Sequence, residues 1–283
     1  MDSRSVRPAA VAGAFYPGDA QTLRDTVDAL LAAAPVAERK GQLRALICPH
    51  AGYMYSGATA ARAYALLGGD VAGFSRVGTA SWPRVAVFGP THRVPVRGMA
   101  VPSVEAFATP LGLLPIDQEL RDWALTQPGV VMDDASHRLE HSIEVHLPFL
   151  QRCLPTTTLL PVAVGDVAPA TVAKFMRGLL ERGDTLLVIS TDLSHFFAHE
   201  VAERVDQASV ATMLRGDAPL DHSQACGSTP VNGLMLAARH AGLFPVLLHR
   251  CNSSAASGDR SRVVGYASLA FYAEEPGTSH VGT

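Results

Sequence analysis

Short apolar runs and stretches of helical period take turns along this chain, and that alternation restricts it to a sheet covered by helices. Arg44–Pro49 (RALICP), Val85–Phe88 (VAVF), Leu159–Val164 (LLPVAV) and Thr185–Ser190 (TLLVIS) carry no charge after their first residue. Runs this short and this apolar belong to strands buried on both faces, as in a parallel sheet. Between them Asp19–Ala34 places Leu23, Val27, Leu30 and Leu31 on one helical face. Helical patterns also span Ser56–Leu67, with Ser56 as cap, and Ile116–Thr126, Leu139–Leu154, Ala170–Glu181, Glu200–Leu214 and Val231–Ala241. Strands are predicted at Gly98–Pro102, Phe244–His249 and Val263–Phe271, with a loop through Thr109–Gly112. The pattern predicts an α/β fold with a mixed, largely parallel central sheet and helices on both faces. With 283 residues the chain can bury such a core. No Pro/Gly/Ser-rich linker divides it and no repeat recurs, so one domain is expected over 1–274, with a disordered tail at 275–283.

A net charge of −3 with no basic stripe argues against a nucleic-acid partner. No apolar run reaches the roughly 18 residues of a membrane span. Gly13, Pro17 and Gly18 interrupt the only segment that could have served as a secretory signal. Four cysteines scattered through so long a chain do not form a disulfide framework. Reduced thiols and a cytoplasmic location are therefore expected.

Three of the strands run into histidine. RALIC leads to Pro49-His50-Ala51-Gly52-Tyr53, VAVF to Gly89-Pro90-Thr91-His92, and LLVIS to Thr191-Asp192-Leu193-Ser194-His195. Open α/β sheets bind ligands outside the carboxyl ends of their strands, so His50, His92, Asp192 and His195 should share one edge. A single histidine after a strand is more often a hydrogen-bonded cap. Three at equivalent places point to a metal, because neutral imidazole is a good donor to Fe, Zn or Cu.

Two other segments carry chemistry. In Leu139-Glu140-His141-Ser142-Ile143-Glu144-Val145-His146, a helix would put Glu140 and Glu144 on one face, with His141 beside Glu144. The histidine spacing is not that of HExxH zinc proteases. The segment is either a solvated helix face or a set of carboxylates that orient an imidazole or line a substrate wall. Cys226 precedes the helix starting near Val231. Such a position can lower a thiol pKa and make a ligand or nucleophile, although the residues alone favour a buried, inert cysteine. No G-x-S-x-G elbow, Walker A or G-x-G-x-x-G fingerprint is present.

Together Ala14-Phe15-Tyr16-Pro17, Pro49-His50-Ala51-Gly52-Tyr53, Gly89-Pro90-Thr91-His92 and Glu140 through Phe149 resemble the MEMO family, whose prokaryotic members are called AmmeMemoRadiSam system protein B. Ser190 through His195, Cys226-Gly227 and Val264-Gly265-Tyr266-Ala267 extend the resemblance, in order, over nearly the whole chain. It implies a fold similar to class III extradiol dioxygenases. By that resemblance His50, His92 and Cys226 would hold the metal, Fe(II) in first place and Cu or Zn as alternatives. His195 would be the acid/base and Asp192 would line the same cleft. His141, Glu144 and Tyr53 would stand in an outer shell or substrate wall. The implied function is a metal-dependent, dioxygenase-like oxidoreductase acting on a small aromatic substrate, with radical-SAM and AMMECR-type proteins as partners. The family equally implies an alternative, a non-catalytic copper- or iron-binding adaptor.

Overall fold

Burial on both faces explains the centre of the sheet. In the computed structural model, which describes residues 5–35, 40–68, 70–71, 74–75 and 82–274, four parallel strands lie side by side. They are β1 (Gln42–Cys48), β2 (Arg84–Pro90), β3 (Thr158–Val164) and β4 (Thr185–Ser190), in the order β1-β4-β2-β3. Side chains alternate across a strand. Leu46, Cys48, Val85, Val87, Leu186 and Val188 therefore pack on one side with α1 (Ala20–Ala33) and α2 (Tyr53–Tyr64). Their neighbours Ala45, Ile47, Ala86, Phe88, Leu187 and Ile189 pack on the other, with α3 (Pro169–Arg182) and α5 (Ser228–His240). The helix α4 (His199–Arg215) follows the fourth parallel strand.

The edges are antiparallel. β5 (Val263–Ala273) runs against β1, and the strands His195–Phe197 and Phe244–Asn252 both pair with β5. At the opposite side Met99–Val101 runs against β3 and is joined by Val130–Met132. The expected loop at Thr109–Gly112 is the turn of a hairpin, Ala106–Thr109 with Gly112–Pro115, to which Val6–Arg7 adds in parallel. The expected tail 275–283 lies outside the described residues. Among the described residues no helix is long and apolar enough to cross a membrane.

Two local expectations need correction. α2 starts at Tyr53 behind Gly52, and the Ser56 hydroxyl donates to the Ala51 carbonyl without capping the helix. The continuous helix expected over Leu139–Leu154 is broken into a turn, a 3-10 turn at Glu144–His146 and a short helix at Leu147–Cys153. Pro148 suits the first turn of that short helix and has no N–H to offer an earlier one. Glu140 also takes up the amides of His141 and Ser142, which competes with helical bonding.

Candidate metal centre

The carboxyl ends of the parallel strands deliver the side chains that the sequence pointed to. His50 follows β1 and is buried, while His92 follows β2 and faces solvent. The turn before Glu144 brings His141 to the same place. Its approach depends on Gly89, where a Cβ would lie 2.4 Å from the Ser142 hydroxyl. The ring centroids are 5.2 Å apart for His50 and His92, 5.3 Å for His50 and His141, and 4.7 Å for His92 and His141. One donor atom from each lies within 4.8 Å of the others, the only such group of three or more ligating side chains among the described residues.

Hydrogen bonds decide which nitrogen each ring offers. Glu140 is buried, and burial opposes its ionisation. Bonds from His141 and His92 outweigh that effect and hold its carboxyl far below the usual range. Being ionised it can only accept, so Nδ1 of His92, at 2.9 Å, carries the proton, and Nδ1 of His141 lies 3.2 Å from the same oxygen. The same carboxylate accepts the His92 amide at 2.6 Å. His50 Nδ1 lies 2.6 Å from the Ser190 hydroxyl, which spends its own proton on the Ser142 carbonyl at 2.5 Å. Ser190 must then accept from His50. With each Nδ1 beside one of these oxygens, Nε2 is the nitrogen that each ring offers a metal ion. Burial, followed by the neighbouring histidines, pushes His50 well below the ordinary imidazole pKa and keeps it neutral. Neutral imidazoles with Nδ1–H anchored to oxygen are the usual dress of metal-binding histidines, so the residues present fit a metal ion.

Cys226 sits at the rim of this group. Gly227 allows the close turn, since a Cβ there would stand 2.5 Å from the Ser190 carbonyl. The Cys226 Sγ is 3.4 Å from His50 Nε2 and accepts the Asp192 amide at 3.3 Å. A helix N-terminus would lower a thiol pKa. Here burial, then the charge of Asp192, pushes Cys226 up to about 12, so the free group is a thiol that donates to His50. Asp192 accepts the His50 amide at 2.8 Å, and its other oxygen is 4.0 Å from His50 Nε2. Burial raises its carboxyl pKa, opposed by that amide and by the nearby His195. His195 itself is half-buried at the head of its short strand. It stacks edge-on against Phe196, which has a φ of 64° and carries the Arg262 guanidinium over its ring.

The remaining expected residues lie behind the histidines. The Tyr53 hydroxyl donates to the Val145 carbonyl at 2.7 Å, and its ring packs on Phe149 and Tyr16. Glu144 points away from the histidines and accepts from the Arg7 guanidinium, the Tyr16 hydroxyl and the amides of Ala10 and Val11. His141, placed by resemblance in an outer shell or substrate wall, stands within the imidazole group itself.

Sequence reasoning missed Ser190, Arg7 and the part played by Glu140. Ser190 was visible as the hydroxyl that closes the apolar run Leu186–Ile189. Little local marks Arg7, because its partners His137, Glu140 and Glu144 lie 130 or more residues away.

Behind the centre, burial lowers His137 to about 4, against a bond to the Ala100 carbonyl. Burial, then His141, lowers His146 to about 3, and its Nε2 finds no partner among the described residues. An unfolded histidine titrates near 6.5. Below that pH the unfolded chain binds the protons and the folded chain does not, so stability falls as pH drops from about 6.5 toward these lowered values. Each histidine contributes a slope of about 1.4 kcal/mol per pH unit in that window. His146→Leu should remove roughly half of the pair's slope, measured by urea unfolding at several pH values between 5 and 7. An unchanged slope would show that His146 does not titrate there.

A sheet whose carboxyl edge gathers His50, His92 and His141 defines an α/β protein with an imidazole group that could hold a metal ion. The Memo-like protein family model matches residues 7–270, and the chain belongs to that family. It is 34% identical over 278 residues to a MEMO1 family protein of Aquifex aeolicus, covering 94% of this chain and 99% of the relative. To the MEMO1 family protein MTH_45 of Methanothermobacter thermautotrophicus it is 32% identical, covering 93% and 99%. Its fold is similar to that of the uncharacterized protein JW3007 from Escherichia coli K12. That match has a TM-score of 0.55 and 12% identity, and covers 82% of this chain and all of the other.

Proposed function

We propose that this chain is a metal-dependent redox enzyme of the non-haem iron kind, acting on a small aromatic substrate. The observation that carries the reading is the convergence of His50, His92 and His141 within 4.8 Å, with Nδ1 of each set beside Ser190 or Glu140. His50 and His92 would hold the ion, with His141 or the Cys226 thiolate as further donors. Bound iron(II) would supply dioxygen activation, which none of these side chains provides alone. The chain's own residues supply the rest. Glu140 and Ser190 fix the rings, and His195 beside Asp192 holds or moves a proton at the substrate. Cys226 favours a second reading. Its soft sulfur against His50 suits copper or zinc, and a copper- or iron-holding protein without turnover would use the same donors.

Metal analysis after anaerobic purification separates the two. We expect about one equivalent of iron, reduced in His92→Ala and Cys226→Ser, with oxygen uptake on addition of catechols or aminophenols. Loss of that uptake in His195→Ala, with metal retained, would support the enzyme. Copper or zinc, or full function in His195→Ala, would favour the holding protein. No metal under any reconstitution would sink both readings.

A further inference from the structure

A cavity lies beside the imidazole group. This space, about 330 Å³, reaches His92 and Cys226 and continues between the ends of β2 and β3 and the start of α5. Its size suits a small organic molecule. Pro90, Pro95, Val96, Val164, Val167 and Pro230 give it flat, stiff apolar walls, and among the described residues no arginine or lysine lines it. Its charged lining is Asp166, with His222 as the other titratable group beyond the metal centre. The Asp166 backbone is pinned on both sides, its amide to the Val96 carbonyl at 2.7 Å and its carbonyl to the Gly98 amide at 2.9 Å. Gly165 makes this approach feasible, because a Cβ there would stand 2.1 Å from the Val96 carbonyl. The Asp166 carboxylate enters no ion pair among the described residues. His222 is steadied by the buried Ser228 hydroxyl, 3.1 Å from its Nδ1.

We propose that this cavity receives the aromatic substrate and selects rings bearing an amine over rings bearing a carboxylate, with Asp166 as the specificity-determining residue. The proposal rests on the aromatic-substrate reading above. An ammonium group at the far end of the ring would meet the Asp166 carboxylate, whereas an acid would meet a like charge and find no arginine or lysine among the described lining residues to offset it. Like-charge placement of this kind is a common way to reject the wrong ligand. His222 then serves the neutral polar part of the substituent.

The test compares two catechols with the same ring, 3,4-dihydroxybenzylamine and 3,4-dihydroxybenzoate, by calorimetric titration of the full-length protein as purified. Whatever the catechol hydroxyls contribute is common to both, so their ratio reports the far end. We expect the amine to bind at least about fivefold more tightly, as a partly exposed charge pair allows. Asp166→Asn, an exposed and nearly isosteric change, should bring the two within about twofold of each other, chiefly by weakening the amine. Equal binding of both compounds to the unaltered protein, preference for the acid, or amine preference that survives in Asp166→Asn would overturn this inference and leave the aromatic reading standing. Failure of both compounds to bind would remove the aromatic reading and this inference together.

Discussion

Replacing Arg7 with methionine is expected to lower the unfolding free energy by about 3–5 kcal/mol, the usual effect of breaking a buried ion pair from one side. Arg7 is 4% exposed and Glu144 fully buried. The guanidinium donates to the Glu144 carboxylate, to the His137 carbonyl at 2.7 Å and to the Glu140 carbonyl at 2.6 Å. Methionine matches the length of the side chain but satisfies none of these acceptors, and the Glu144 charge is left without its cation. The amides of Ala10 and Val11 and the Tyr16 hydroxyl still reach Glu144, which keeps the loss finite. Adding Glu144→Gln should recover part of the stability, since a neutral amide needs no buried counter-charge. Urea unfolding of the two variants decides it. A loss below about 1 kcal/mol in Arg7→Met would mean that the pair is not the clamp described.

Glu140→Gln should weaken metal binding about 10- to 100-fold, the range for residues that orient ligating histidines. One carboxylate accepts from the His92 ring and from the amides of His92, His141 and Ser142, and lies 3.2 Å from the His141 ring. An amide side chain turns one of those acceptors into a donor facing other donors. At least one imidazole must then rotate or change tautomer, and its Nε2 no longer offers the lone pair. Chelator competition against the unaltered protein measures the change. Urea unfolding alongside it separates a displaced ligand from a damaged fold. Equal affinity for metal in the two proteins would refute the role assigned to Glu140.

What the sequence revealed of this arrangement follows from which forces act locally. β2 and β4 were legible because both of their faces are buried, so every residue of VAVF and LLVI had to be apolar. His50 and His92 were legible because the end of a parallel strand is a fixed place in the fold. The Glu140–Glu144 segment was read as a helix since its spacing permits one. Yet its carboxylates bind groups from residues 7 to 16 and 92, and those distant donors set its shape. The same distance hid Arg7, whose neighbours in sequence announce nothing. Cys226 was correctly placed near a helix start, but its proton is governed by burial and by Asp192, neither of which can be read from the residues around it.

The contact between Arg7 and Glu144 also bears on the order of events during folding. The two are 137 residues apart, and closing so long a loop carries an entropy penalty before any reward is collected. The four parallel strands and their helices can assemble while the turn that carries Glu140 and His141 still lacks its clamp. The imidazole group would then be completed late, after the scaffold beneath it has hardened. A chain halted just short of that contact would hold nearly all its secondary structure and still grip metal poorly.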